Sequence, residues 1–284
     1  MHAFDPRKRP SVKQPKRRLN KKPLFAIFAI SIIGAGYLLL KTQISNAPSH
    51  EKQTNQAVQT IEAPKKTGIL KIFTGEEFRN LYESFAYPNT ALINEDTPIT
   101  GDIDADDRIR KIAVERGYKL RSAPVTNAFI DVGDGFLLQQ RAAQPWLDLK
   151  AAAKKDGINL GLTAAYRSAE GQKEIFTSRL SQLGIPVYNI AYGGYDSQIS
   201  QVLRMTAIPG YSRHHTGYTV DIACEDQPTT SFAFTDCFEW LSADNYKNTK
   251  TFGWIPGYPE GAGQMGPDPE SWEYVWVGTD PLTE

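Results

Sequence analysis

Cysteine and histidine are scarce in this chain. Its 284 residues include two cysteines and four histidines, with no CxxC pair and no histidine after His215. A cysteine-rich zinc module therefore has no basis here. There is no excess of either charge, since 32 Lys and Arg face 32 Asp and Glu, so the chain as a whole is not a polyelectrolyte made to coat nucleic acid. No internal repeat is present, which excludes a solenoid or a propeller. The two cysteines, Cys224 and Cys237, stand thirteen apart in a loop-like stretch containing Asp226, Pro228, Thr229 and Thr230. In an oxidising compartment they can close one disulfide; a zinc pair is the alternative, without a CxxC spacing to support it.

The neutral total hides an asymmetry. Residues 1–22 carry nine Lys and Arg against Asp5 alone, about +8, so the remainder sums to about −8. Directly after the basic tract, Leu24 to Leu40 run without a charge, with only Ser31 and Tyr37 as polar relief. At ~1.5 Å per helical residue this stretch spans roughly 26 Å, near the thickness of a bilayer core. The positive-inside rule puts the N-terminus in the cytoplasm. The expected organisation is a basic cytoplasmic tail over 1–23, a transmembrane helix over 24–40, a flexible linker over 41–69 and an extracytoplasmic domain over 70–284 with its core at about 132–280. The protein is then single-pass in the cytoplasmic or inner membrane, its domain on the periplasmic or cell-wall side. A cleaved signal peptide competes, but the run is long for one, and the best small-residue site, Ser45-Asn46-Ala47, is followed by Pro48. Attachment to an apolar span also argues against a nucleic-acid arm.

Within the domain, Gly75-Glu76-Glu77-Phe78 opens an amphipathic helix with Phe78, Leu81, Tyr82 and Phe85 at helical spacing, and the polar stretch to Arg108 reads as mostly loop. Pro145 is expected in the first turn of a helix carrying Trp146, Leu149, Ala152 and Ala153 and ending near Gly157. A strand through Ile158, Leu160, Leu162, Ala164 and Tyr166 follows, and Ser168 then caps a helix through Gln172, Ile175, Phe176 and Leu180. Tyr218, Val220 and Ile222 alternate with Thr219, Asp221 and Ala223, which sends Asp221 to the face opposite the core. Phe238, Trp240 and Leu241 suggest another helix, Phe252 to Ile255 a short strand, and Trp272 to Val277 a last one. Helices interspersed with antiparallel-looking strands make the fold class α+β.

Three groups of residues can carry chemistry. His214 and Asp221 can supply two ligands to a hydrolytic metal, the first from a loop and the second from the strand it enters, with Gly217 permitting their approach. Alone the pair is weak, because surface histidines and strand-end aspartates are common. Glu270 and Glu273 stand three apart after a Gly/Pro-rich turn; Glu273 can bind metal while Glu270 acts as general base, or both can be solvated acids. Arg167, at the C-terminal end of an apolar strand, suits a carboxylate or oxyanion clamp, with a surface salt bridge as its rival.

Taken together and in order, these segments resemble the metal-dependent D-alanyl-D-alanine carboxypeptidases of the VanY type and their LD-carboxypeptidase relatives. Ala164-Ala165-Tyr166-Arg167-Ser168 with Gln172 is similar to the family's S-G-Y-R-S…Q segment. Pro209-Gly210-Tyr211-Ser212-Arg213-His214-His215-Thr216-Gly217-Tyr218-Thr219-Val220-Asp221 is similar to its P-G-x-S-x-H-x-x-G-x-A-x-D. Phe252-Gly253-Trp254 and Tyr258-Pro259 look like its F-G-F and Y-P landmarks, and Glu270-Ser271-Trp272-Glu273 like its E-P-W-H. The resemblance covers roughly Ala142 to Gly278. It implies a Hedgehog/DD-peptidase-like fold, a small antiparallel sheet flanked by helices with the metal site on the sheet face. It also implies Glu270 and Arg167 as catalytic residues, and Arg167, Ser168, Gln172, Ser212 and Trp272 as substrate-binding. Zinc, or another divalent ion, would sit on His214, Asp221 and Glu273, and the substrate would be a peptidoglycan stem peptide. The chain departs from the pattern at Glu273, where the family has its third zinc-binding His, at His215, where Gln is usual, and at Val275, where Arg is frequent. Two carboxylates with one imidazole neutralise a dication and should weaken it as a Lewis acid. An endopeptidase, or a non-catalytic peptidoglycan-binding relative, is therefore the alternative to a carboxypeptidase.

Overall fold

Caps and apolar alternation account for most of the framework. A computed structural model describes residues 68–284; the expected tail, apolar span and nearly all of the linker lie outside the described residues. Helix α1 (Gly75–Ser84) opens on a reciprocal capping box in which Thr74 Oγ1 accepts from the Glu77 amide and Glu77 accepts from the Thr74 amide. It is followed by β1 (Thr90–Leu92), α2 (Ile103–Glu115), β2 (Ser122–Pro124), β3 (Phe129–Asp131) and β4 (Leu137–Gln139). Then come α3 (Gln140–Lys155), β5 (Leu160–Ala164), α4 (Ala169–Gln182), α5 (Val187–Ile190), α6 (Asp196–Leu203), β6 (Thr219–Cys224), α7 (Asp236–Lys250), β7 (Trp254–Pro256) and β8 (Glu273–Trp276). Ser168 caps α4 by accepting from the Gly171 amide at 3.0 Å, as its position predicts.

The central feature is a four-stranded antiparallel sheet in the order β5-β6-β8-β7. Two small hairpin-like ladders, β1 with β2 and β3 with β4, lie outside it. Trp146 and Leu149 of α3 pack with Val220, Ile222, Trp254 and Tyr274 in one core. A second core joins α2, α4 and α6 through Ile109, Phe176 and Val202. The third sets Phe78 and Tyr82 of α1 against Ile255, Val275 and Val277. Cys224 and Cys237 form the expected disulfide, tying the end of β6 to the start of α7.

Several expectations need correcting. The stretch read as mostly loop is so up to Asp102 apart from β1, but its last six residues, Ile103 to Arg108, open α2, because Asp102 caps it at the Ala105 amide and Ile109 and Ala113 are fully buried. Pro145 lies in the second turn of α3, which begins at Gln140 directly after β4. The hydrophobic core extends well before residue 132, since α1 and α2 each supply a buried face. Helix α7 is broken at Ala243 to Tyr246, where the Asn245 amide both donates to and accepts from the Phe73 backbone. Among the described residues no helix is long and apolar enough to cross a membrane.

Candidate active site

Two adjacent imidazoles organise the site, and they do different work. Arg213–Thr216 form one 3-10 turn, closed by Gly217 at φ +73°. A Cβ on Gly217 would come within 3.0 Å of Gln139 and 3.1 Å of Phe129, so both the conformation and the space call for glycine. The Arg213 carbonyl accepts from the hydroxyls of Thr216 and Thr219, which ties the turn to the first residue of β6. His214 Nδ1 lies 2.7 Å from the Ala165 carbonyl. A carbonyl only accepts, so Nδ1 carries a proton, and Nε2, which offers a lone pair when the ring is neutral, points towards Asp221 Oδ1 at 3.3 Å and Glu273 Oε2 at 3.7 Å. His215 Nε2 accepts from the Gly210 amide at 3.0 Å, and its Nδ1 then donates to the Arg167 carbonyl at 2.7 Å. Burial pushes the His215 pKa down to about 4, so this ring is a neutral strut between the turn and the link from β5 to α4.

The two carboxylates meet because of strand register. Asp221 on β6 stands directly opposite Glu273 on β8, and opposed residues of an antiparallel pair share a face. Like charges in that position repel unless something positive lies between them. Ligand atoms of His214, Asp221 and Glu273 all lie within 4.8 Å of one another. Asp221 Oδ1 is buried and has no hydrogen-bond partner. Burial disfavours the His214 imidazolium, but Asp221 and then Glu273 outweigh it and raise the pKa above the ordinary value. One lone pair, one orphaned carboxylate oxygen and a second carboxylate, converging in a buried space, fit a small divalent cation.

Glu273 has a further partner that the sequence reading missed. Arg213, 3% exposed, donates from Nη1 to Glu273 Oε1 at 2.7 Å and to the Gly257 carbonyl at 2.5 Å. Its guanidinium carbon lies 3.9 Å from the ring centroid of Tyr258 and 4.6 Å from that of Tyr82 on α1. A Cβ on Gly257 would collide with Glu273 Oε1, so glycine there leaves room for the pair. An arginine beside a histidine carries no signal in sequence; only the fold brings it under residue 273.

Around this centre lies a cleft of about 500 Å³ lined by Arg167, Gln172, Ser212, Asp221, Glu270 and Trp272 among others. Glu270 sits in the turn before β8, and burial, then the charges of Glu273 and Asp221, push its pKa up to about 8. Arg167 Nη1 donates to Gln172 Oε1 at 2.9 Å. The Gln172 amide nitrogen in turn donates to Thr206 Oγ1 and the Ala207 carbonyl. Gln172 is fully buried with both ends of its amide engaged, and it steadies Arg167 at the cleft wall. Ser168 is exposed, spends its oxygen on the helix cap, and is absent from the cleft wall. Ser212 and Trp272 do line it. Of the nine residues expected at the site, eight line this one cleft, Gln172 there supporting Arg167, and Ser168 alone lies outside it as the cap of α4.

The VanY family, described as D-alanyl-D-alanine carboxypeptidase, matches residues 135–279. A curated D-alanyl-D-alanine carboxypeptidase of Enterococcus faecalis (strain ATCC 700802 / V583) is 29% identical over 142 residues, covering 49% of this chain and 48% of the relative. The chain spans about half the length of the curated relatives it matches. Among solved structures it is similar to a variant of the vancomycin resistance D,D-pentapeptidase VanY in complex with Zn(II), at 24% identity and TM-score 0.44, over 67% of this chain and 88% of that one. It is also similar to the LdcB LD-carboxypeptidase, at 22% identity and TM-score 0.43, over 55% of this chain and 71% of that one.

Proposed function

The chain belongs to the VanY family of D-alanyl-D-alanine carboxypeptidases, and on that premise we propose that it is a metal-dependent carboxypeptidase removing the terminal D-amino acid from peptidoglycan stem peptides. The observation that carries this reading is the convergence of His214, Asp221 and Glu273 beside Glu270 and Arg167 in one cleft. His214 Nε2, Asp221 Oδ1 and Glu273 Oε2 would hold the cation. When bound, zinc or a similar dication supplies Lewis acidity, which acidifies water and polarises a carbonyl.

Glu270 is the proton carrier. Burial, then the charges of Glu273 and Asp221, push its carboxyl up to about 8, towards the range that suits a general base. It takes the proton of the attacking water and returns it to the leaving amine. Arg167, held by Gln172, faces the same cleft with a guanidinium that can pair with the substrate's terminal carboxylate or with the developing oxyanion. His215 keeps the Arg167 backbone against the metal-binding turn. The basic tract and the apolar run from Leu24 to Leu40 support a further part of the proposal, that the domain works outside the cytoplasmic membrane to which the chain is anchored.

The test is metal analysis of the purified full chain with D-alanine release from a stem pentapeptide and tetrapeptide. Cleavage that needs an added or resident dication and is lost in Glu270→Gln is the expected result. Absence of cleavage with zinc, cobalt and manganese would overturn it, and retained binding to the peptide would then favour a non-catalytic peptidoglycan-binding module.

A further inference from the structure

Glu273 does not enter the site as a free carboxylate. Its Oε1 is taken by Arg213 at 2.7 Å, leaving Oε2 towards His214 and the space shared with Asp221. Both partners are almost fully buried, with side chains 3% and 4% exposed. The guanidinium cannot swing away: it lies between the Tyr258 and Tyr82 rings, and the same nitrogen is anchored on the Gly257 carbonyl. Arg121 lies over the Tyr82 ring as well, 4.9 Å from its centroid, and forms a two-pronged pair with Glu83. Its guanidinium is thus engaged by Glu83, which also pairs with Lys119 at 3.3 Å, and makes no ion pair with Glu273.

Charge counting gives this arrangement a meaning. Asp221, Glu273 and neutral His214 offer a dication two negative charges; adding Arg213 brings the sum to −1. One carboxylate with two neutral imidazoles also sums to −1. We propose that Arg213 is a positioning residue of the metal centre, holding Glu273 as a one-oxygen ligand and cancelling its charge so that the arginine and glutamate together stand in for one neutral imidazole.

This inference rests on the metal-dependent reading above and sharpens it. Without Arg213, Glu273 is free to offer both oxygens and a full charge, which suits harder ions such as manganese more than zinc. With an imidazole at 273 but Arg213 retained, the site sums to zero and an uncompensated buried cation faces the metal. Each single change should therefore be harmful in an opposite sense, and the two together should cancel.

The test is a double-mutant cycle on the full chain read by chelator competition for zinc and manganese, with thermal melts of the metal-free proteins alongside. Glu273→His is expected to weaken zinc binding by roughly tenfold or more, and Arg213→Met to shift the zinc-to-manganese affinity ratio towards manganese by a similar factor. The combined variant should return to within a few-fold of the original on both measures. A purely structural Arg213 would lower the melting temperature without this crossing pattern. Should Arg213→Met fail to fold, Glu273→His combined with Arg213→Lys decides the matter: it keeps the charge and should stay as weak for zinc as Glu273→His alone. Additive effects in the cycle, full zinc affinity in Glu273→His alone, or restoration by the lysine variant overturns the inference while leaving metal binding by the original protein intact. An original protein that binds neither ion overturns the functional reading and this one with it.

Discussion

Residues 68–134 and residues 135–279 contribute to the site in different ways. The later region holds every candidate residue that meets metal or substrate, from Arg167 to Glu273, and it is the region the family matches. The earlier one supplies none of them. It covers the later one instead: Tyr82 lies over Arg213, and Phe78 and Tyr82 pack against Ile255 and Val275 beneath β8. Reactive groups can be read from local motifs, whereas the groups that hold them in place come from wherever the chain returns to cover them.

The sharpest way to break this comparison is at Glu270. Glu270→Gln should cut turnover by roughly 10²- to 10⁴-fold yet raise the melting temperature of the metal-free protein near pH 7. The sign follows from its raised pKa. A carboxyl that ionises near 4.5 in the unfolded chain but near 8 in the fold loses stability as pH rises between those values, and the amide avoids that cost. A lower melting temperature would mean Glu270 is part of the framework.

Tyr82→Ala tests the other side. Removing a buried aromatic should cost about 3–5 kcal/mol by denaturant unfolding, and the folded fraction should bind zinc more weakly because Arg213 loses one wall. Unchanged zinc affinity per folded molecule would reduce the earlier region to a bystander. Replacing both cysteines, Cys224→Ser with Cys237→Ser, should cost about 3 kcal/mol for a closed loop of this length. The staple lies at the far end of β6 from Asp221, so metal affinity should hold. A matching loss of metal would join the two ends of the strand.

The smallest effect is the pH dependence set by His215. Its pKa is depressed to about 4 against an ordinary 6.5, so the unfolded state takes the proton first as pH falls. Stability is therefore fully present above about 6.5 and declines towards 4, by roughly 2 kcal/mol between pH 7 and 5 from this group. Denaturation curves of the original and His215→Gln proteins should converge over that interval. Parallel curves would show that the ring is not held neutral.

Much of the later region was legible in the sequence because its signals are local. The Tyr218 to Ala223 alternation, the Ser168 cap and the Gly217 turn each depend on neighbours within a few residues, and each appears in the structure. The helix over Ile103–Glu115 escaped because its polar first turn masks an apolar face that only α4 and α6 make necessary. Gln172 and Ser168 were expected to meet substrate, and their buried or capping roles emerge only with the partners around them. Arg213 was invisible for the same reason.

By itself, the sequence determined which groups can ligate a metal and move a proton, and which turn and strand carry them, since side-chain chemistry and backbone preference act at short range. It also carried enough ordered landmarks to assign the family. Tertiary structure alone decided that Asp221 faces Glu273, because register is set by pairing between strands fifty residues apart in sequence. It decided as well that Glu273 is shared with a caged arginine, because a charge buried in a low-dielectric interior must find its partner in space.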